Sequence, residues 1–111
     1  MTIMGQTIST NEKGLVSLTD LWKAGGGEDR NRPKEWLSFK GNQEFIQELA
    51  KGGNPTLFVQ VKPGRNGGTF AHWQIALAYA KYLSPKLHMA VNDIYMRYKM
   101  ADPKLAVEVA G

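Results

Sequence analysis

Cations gathered in two short windows are the residues with chemistry to offer. Arg30, Arg32, Lys34 and Lys40 share the first window with a single acid, Glu35, and Lys62 and Arg65 form the second. Together the windows carry more net positive charge than the formal +4 of the whole chain, so the remaining residues are slightly acidic. A surface charged only for solubility has no need to concentrate its cations in this way. With a sequence pI of about 9.4, the balance favours an acidic partner. If each of these cations met a phosphate, log K would fall against log salt at about −0.9 per contact, a slope of roughly −5. Ser38 lies one helical turn from Lys34, on the same outward face, and Asn66 follows Arg65. Gln60 and Asn66 can donate to a base edge, although amides in strands and turns also bond locally.

Catalysis finds little to use. The only histidines are His72 and His88, and the chain has no cysteine, so neither a disulfide nor a thiolate zinc site can form. His72 reads as a capping or packing residue. His88 and Asp93 are five positions apart, which does not bring them to one helical face as an acid–base pair. The glycine-rich stretch 24–29 lacks the Lys-Ser/Thr ending of a phosphate loop and the GxGxxG spacing after a strand. No catalytic residue, cofactor or metal ligand is therefore expected. Trp22, Trp36 and Trp73 fall on apolar faces and read as core rather than as base-stacking platforms.

Positioning the cations requires two devices, a helix and a hairpin. Leu57, Phe58, Val59 and Val61 read as a strand and Thr69 to Ala71 as its partner, with Lys62, Pro63, Gly64, Arg65, Asn66, Gly67 and Gly68 at the tip. The tip glycines permit the chain reversal and close approach to another surface. For the helix, Asn31 or Arg32 is the candidate N-cap and Pro33 the first residue. Trp36, Leu37 and Phe39 share its apolar arc; Lys34 faces out. A helix start also attracts phosphate through its free N–H groups, so these cations suit backbone contact as well as base edges. Gly41 is expected to break or bend this helix and Asn42 to cap a second piece with Phe45, Ile46, Leu49 and Ala50 as its stripe.

Before the basic helix, Ile3 and Ile8 suggest a small N-terminal hairpin, onto which Leu15 and Val16 can pair after a turn at Asn11 to Gly14. Ser17 and Asp20 have capping-box spacing ahead of a short helix carrying Leu18, Leu21 and Trp22, which Gly25 to Gly27 stop. After Phe70 the period becomes helical: Trp73, Ala76, Leu77, Ala80 and Leu83 form one face, and Ser84 and Pro85 end that helix and begin the next. There Leu87, Val91, Ile94, Tyr95 and Tyr98 make the core stripe. Met89, Met96 and Met100 lie roughly opposite, either covered by the N-terminal hairpin and the tail or exposed as an adaptable contact. Asp102 and Pro103 close the helix, and Leu105, Val107 and Val109 alternate as in a short strand.

A length of 111 residues suits one domain. The N-terminus shows no signal-peptide pattern, and no apolar run approaches the roughly 20 residues needed to span a bilayer. A cytoplasmic, non-membrane protein is expected.

The residues also carry a family likeness. Leu15 to Leu21, Trp36 and Leu37 in a basic helix, and Gly68, Thr69, Phe70, Ala71 and His72 leading into Ala76, Leu77, Ala80, Tyr82, Leu83, Ser84 and Pro85, resemble the KilA-N domain. That domain occurs in phage and large DNA virus proteins and is similar in core fold to the fungal APSES DNA-binding domain. The resemblance covers about Gly14 to Tyr98 and is strongest at Gly68 to Phe70 and at the Ala-rich helix ending in Leu83, Ser84 and Pro85. Phe70 stands where the fungal domain usually has Trp, so an aromatic core residue is kept. The resemblance implies DNA binding by the glycine-loop helix pair and a hairpin wing, often in phage or prophage gene control. KilA-N domains are commonly joined to a further domain, so the sequence suits either a minimal regulator or one piece of a longer protein.

The expectation is an α+β fold, helices packed with small antiparallel hairpins around a winged helix-turn-helix-like core, in a single domain over 1–111 with its core at about 14–98. Its partner is double-stranded DNA, met by Arg30, Arg32, Lys34, Ser38, Lys40, Lys62, Arg65 and Asn66, in the cytoplasm of a bacterial or phage-infected cell. Two alternatives stay open. One is a protein-interaction module, homodimeric or with another partner, using Met89, Met96 and Met100; the other is a structured-RNA binder.

Overall fold

Short strands and caps, rather than long regular elements, begin the chain. The computed structural model describes residues 1–65 and 67–101. Strands β1 (Thr2–Ile3) and β2 (Gln6–Thr7) pair antiparallel. Met4 and Gly5 turn between them with φ of 52° and 80°, the positive values that a two-residue hairpin turn requires. This hairpin delivers Ile3 and Ile8 into the core. The expected pairing of Val16 onto the N-terminal segment survives as a single bridge to Thr10. Its longer register is elsewhere, in β3 (Val16–Ser17).

Ser17 caps α1 (Leu18–Ala24), its Oγ accepting from the Asp20 N–H at 3.0 Å. The reciprocal half of the capping box is absent. The Ser17 N–H already donates to the Ser9 carbonyl, so the Asp20 carboxylate accepts from the Ser9 N–H instead, at 2.9 Å. An acid expected to cap its own helix thereby ties the N-terminal segment to α1. Gly25 ends the helix where its terminus approaches Leu83; a Cβ there would lie 3.1 Å from that of Leu83.

A 3-10 turn (Asp29–Asn31) leads into α2 (Pro33–Ser38), with Arg32 at the N-cap and Pro33 at the first position as expected. The break after α2 is at Phe39, not Gly41. Phe39 adopts an extended backbone and sets its ring edge-on to Tyr82 at 6.0 Å, while Gly41 lies inside α3 (Lys40–Ala50). Phe39 is 46% exposed, so it does not join the apolar arc of Trp36 and Leu37. Asn42 caps backwards: its amide donates to the Trp36 carbonyl at 2.8 Å, a second hydrogen bond on an acceptor that also takes the Phe39 N–H. Ile46 of α3 is buried, with Phe45 and Leu49 packed beside it.

The hairpin strands are β4 (Val59–Lys62) and β5 (Gly68–Ala71), pairing Val59 with Ala71 and Lys62 with Gly68. Leu57 and Phe58 precede the strand rather than belong to it. The Asn54 side chain accepts from the Thr56 N–H and Pro55 follows, which starts a 3-10 turn (Pro55–Leu57) and leaves Leu57 62% exposed. Val16 and Ser17 pair with Ala71 and Phe70, so the sheet runs β3–β5–β4 with β5 in the centre.

Two helices close the core. In α4 (Trp73–Leu83) the buried residues are Ile75, Ala76, Tyr79 and Ala80, a face rotated from the expected one so that Trp73, Leu77 and Leu83 flank it. Ser84 caps α5 (Pro85–Met100) through its Oγ, and Leu87 and Val91 are fully buried. Tyr98 is 68% exposed because α5 has by then run past the helix it packs on. Met89, Met96 and Met100 are also exposed; the N-terminal hairpin turns Ile3 and Ile8 into the core and does not cover them. The architecture is α+β, five helices with two small antiparallel sheets among the described residues. The tail strand and the helix-closing role expected of Asp102 and Pro103 lie outside those residues, as does Asn66.

Candidate nucleic-acid interface

Alternation along β4 and β5 decides what each face of the hairpin can meet. Val16, Ala71 and Val59 point into the core, and Thr69 and Val61 continue the same face outward. There they meet α2. Lys34, Leu37 and Ser38 face Val61 and Thr69 across an open groove of about 640 Å³. Thr19 of α1 fastens the hairpin from below: its hydroxyl accepts from the Thr69 N–H at 3.1 Å, and Gly68 leaves no room for a Cβ against it. The Ser38 hydroxyl donates to the Glu35 carbonyl, leaving its lone pairs to the groove.

The opposite face of the hairpin carries Gln60, Phe70 and Lys62, which with residues 9–12 line a second cleft of about 610 Å³. Phe70 is half-buried there rather than in the core. Lys34 and Ser38 are thus brought together with the hairpin, whereas Lys62 leaves it on the other side. Arg65 is exposed at the tip and Lys40 is exposed at the start of α3.

Arg30 and Arg32 are partly neutralised. Arg30 Nε is 2.7 Å from Glu28, and Arg32 Nη2 is 2.9 Å from Asp29. Both acids fall just outside the window in which the cations were counted; over residues 28–40 three carboxylates face four cations. Lys34, Lys40, Lys62 and Arg65 make no ion pair with a described residue.

Three aromatic side chains hold the turn that carries these arginines. Trp22, half-buried on α1, donates its indole N–H to the Glu28 carbonyl at 2.6 Å and lies under the Arg32 guanidinium, 4.7 Å from its ring centre. The Tyr79 hydroxyl donates to the Asn31 carbonyl, and the Tyr82 hydroxyl to Asn31 Oδ1 at 3.1 Å. Burial first, and then Tyr82, push the Tyr79 phenol far above its ordinary range. The tyrosine ties were not legible in the sequence, because each joins positions far apart in the chain.

His72 is the N-cap of α4, its Nδ1 accepting from the Gln74 N–H at 3.1 Å beside the Phe58 ring. Burial, and after it the Lys99 charge, hold His72 below its ordinary value of 6.5. His88 Nδ1 donates to the Leu77 carbonyl at 3.2 Å, and Asp93 pairs with Arg97 instead. Among the described residues no group of three or more His, Asp or Glu could hold a metal, and no helix is long and apolar enough to cross a membrane.

Protein kilA of Escherichia phage P1 is 34% identical over 97 residues, which cover 87% of this chain and 36% of that protein. The chain therefore spans about a third of the length of the curated relative it matches. No solved structure matches it. The KilA-N domain family matches residues 1–101, nearly the whole chain, and the protein belongs to that family.

Proposed function

We propose that this KilA-N domain binds double-stranded DNA as part of phage- or prophage-type gene regulation in the cytoplasm, with α2 entering the major groove and the β4–β5 hairpin serving as a wing. The groove that joins Lys34 and Ser38 of α2 to Val61 and Thr69 of the hairpin carries this reading. The strand order β3–β5–β4, with α1 and α2 between the first strand and the hairpin, supports a winged helix-turn-helix arrangement. Lys34 and Ser38 meet one strand of the duplex; Lys62 and Arg65 of the hairpin, together with Asn66, meet the adjacent backbone or groove. Lys40 and the two arginines extend the footprint. The domain needs no cofactor or metal for this and acts by binding rather than by catalysis.

Anisotropy of a labelled DNA duplex, with unlabelled DNA and RNA duplexes as competitors, tests the reading. DNA should compete well and RNA poorly, because the deep, narrow major groove of A-form RNA excludes a helix. Preferential competition by RNA would favour the RNA-binding alternative.

One observation favours a protein contact in addition. Met89, Met96 and Met100 are 70%, 50% and 58% exposed along one side of α5, a supply of adaptable apolar surface suited to a second copy or another protein. Sedimentation of the domain with and without Met96→Lys reads whether that face makes a homodimer.

A further inference from the structure

The turn before α2 sets two arginines against two carboxylates of its own. We infer that Glu28 and Asp29 withhold Arg30 and Arg32 from non-specific duplex DNA, so that these arginines add to binding only where the DNA displaces both carboxylates. The inference rests on the duplex-binding reading and concerns its selectivity.

Neither carboxylate has another evident task. Glu28 occupies the N-cap of the 3-10 turn without a side-chain capping bond, and its hold on Trp22 is through the backbone carbonyl. Asp29 accepts from both Nε and Nη2 of Arg32, at 3.1 and 2.9 Å, so one carboxylate oxygen occupies two of the guanidinium donors. A phosphate seeking those donors must replace the carboxylate and also tolerate its charge nearby.

The pairs are exposed, with the carboxylate side chains 54% and 87% accessible, so they are weak enough to open. The Trp22 ring keeps the Arg32 guanidinium in place when Asp29 lets go. The turn is fixed from the other side by Tyr79 on the Asn31 carbonyl and Tyr82 on the Asn31 side chain. An opened Asp29–Arg32 pair therefore presents Arg32 in a defined position, which is what a selective contact needs and a general attraction does not.

The test compares the chain with its Glu28→Gln/Asp29→Asn variant on a short fluorescein-labelled duplex of arbitrary sequence, across about 50 to 200 mM salt. Both positions are exposed, and circular dichroism checks that the fold is kept. The variant should bind about two- to twenty-five-fold tighter at the lowest salt, since each exposed pair competes with about 1.4- to 5-fold strength. Its salt slope should be steeper by about two. Adding Arg30→Gln and Arg32→Gln should return the slope to that of the unsubstituted chain. Glu35→Gln/Glu44→Gln, which removes two carboxylates that pair with no described residue, should give a smaller gain and leave the slope alone. Equal affinity and slope before and after the Glu28/Asp29 change, or a gain no larger than the Glu35/Glu44 control, overturns the inference alone. Failure of every protein to bind duplex overturns the duplex-binding reading and this inference with it.

Discussion

Tyr79, fully buried in α4, donates its hydroxyl to the backbone carbonyl of Asn31, the last residue of the turn before the basic helix. One hydrogen bond thus links the centre of the core to the segment that carries Arg30 and Arg32. Tyr79→Phe keeps the ring against Trp36, 5.3 Å away, and removes only the bond. The loss should be about 1–3 kcal/mol in urea unfolding, because a carbonyl is left without its partner. Alkaline titration gives a second reading. A phenol raised in the fold costs stability once the unfolded chain begins to ionise, so the wild type should weaken above its ordinary value of 10.0, and Tyr79→Phe should weaken less steeply there.

His72 gives the opposite dependence at the acid end. The native state keeps the ring neutral, because Nδ1 must accept from Gln74 and because burial and Lys99 disfavour the charged form. The unfolded chain therefore binds the proton first as pH falls past 6.5. The stabilising contribution is complete above that value and is lost progressively below it. Urea midpoints at about pH 7.5 and about pH 5 should differ more for the wild type than for His72→Asn, which can cap without titrating.

Two glycines should respond in opposite directions. A Cβ at Gly67 would sit 2.8 Å from the Lys62 carbonyl carbon and 2.9 Å from that of Pro63, both backbone. Gly67→Ala must distort the hairpin tip and should cost about 1–3 kcal/mol. At Gly41 a Cβ meets nothing within 4 Å, and the residue is helical. Gly41→Ala should stabilise by up to about 1 kcal/mol. Thermal unfolding of the two variants checks both signs.

What the sequence revealed was local. Ser17, Arg32 with Pro33, His72 and Ser84 all cap or begin helices as read, since a cap needs only its own first turn. The hairpin was legible for the same reason, apart from Leu57 and Phe58, which Asn54 and Pro55 draw into a 3-10 turn and its cap. Misreadings arose where a distant partner decided the outcome. Tyr82 draws the Phe39 ring outward, and the break falls one residue before Lys40 instead of at Gly41. Ile75 and Tyr79 turn α4 so that Trp73 and Leu83 become flanks of its buried face. For the candidate interface, the clustering of cations was visible but their pairing was not, because counting charge by window left out Glu28 and Asp29.

The proposed wing is tested most directly by the salt dependence of duplex binding with and without the hairpin cations. Lys34, Lys40, Lys62 and Arg65 predict a slope of roughly −4 for the wild type at about −0.9 per contact. Lys62→Ala/Arg65→Ala should reduce it to roughly −2 while leaving stability within about 0.5 kcal/mol, as both side chains are exposed. A wild-type slope near zero, or one unchanged when both hairpin cations are removed, would contradict the account.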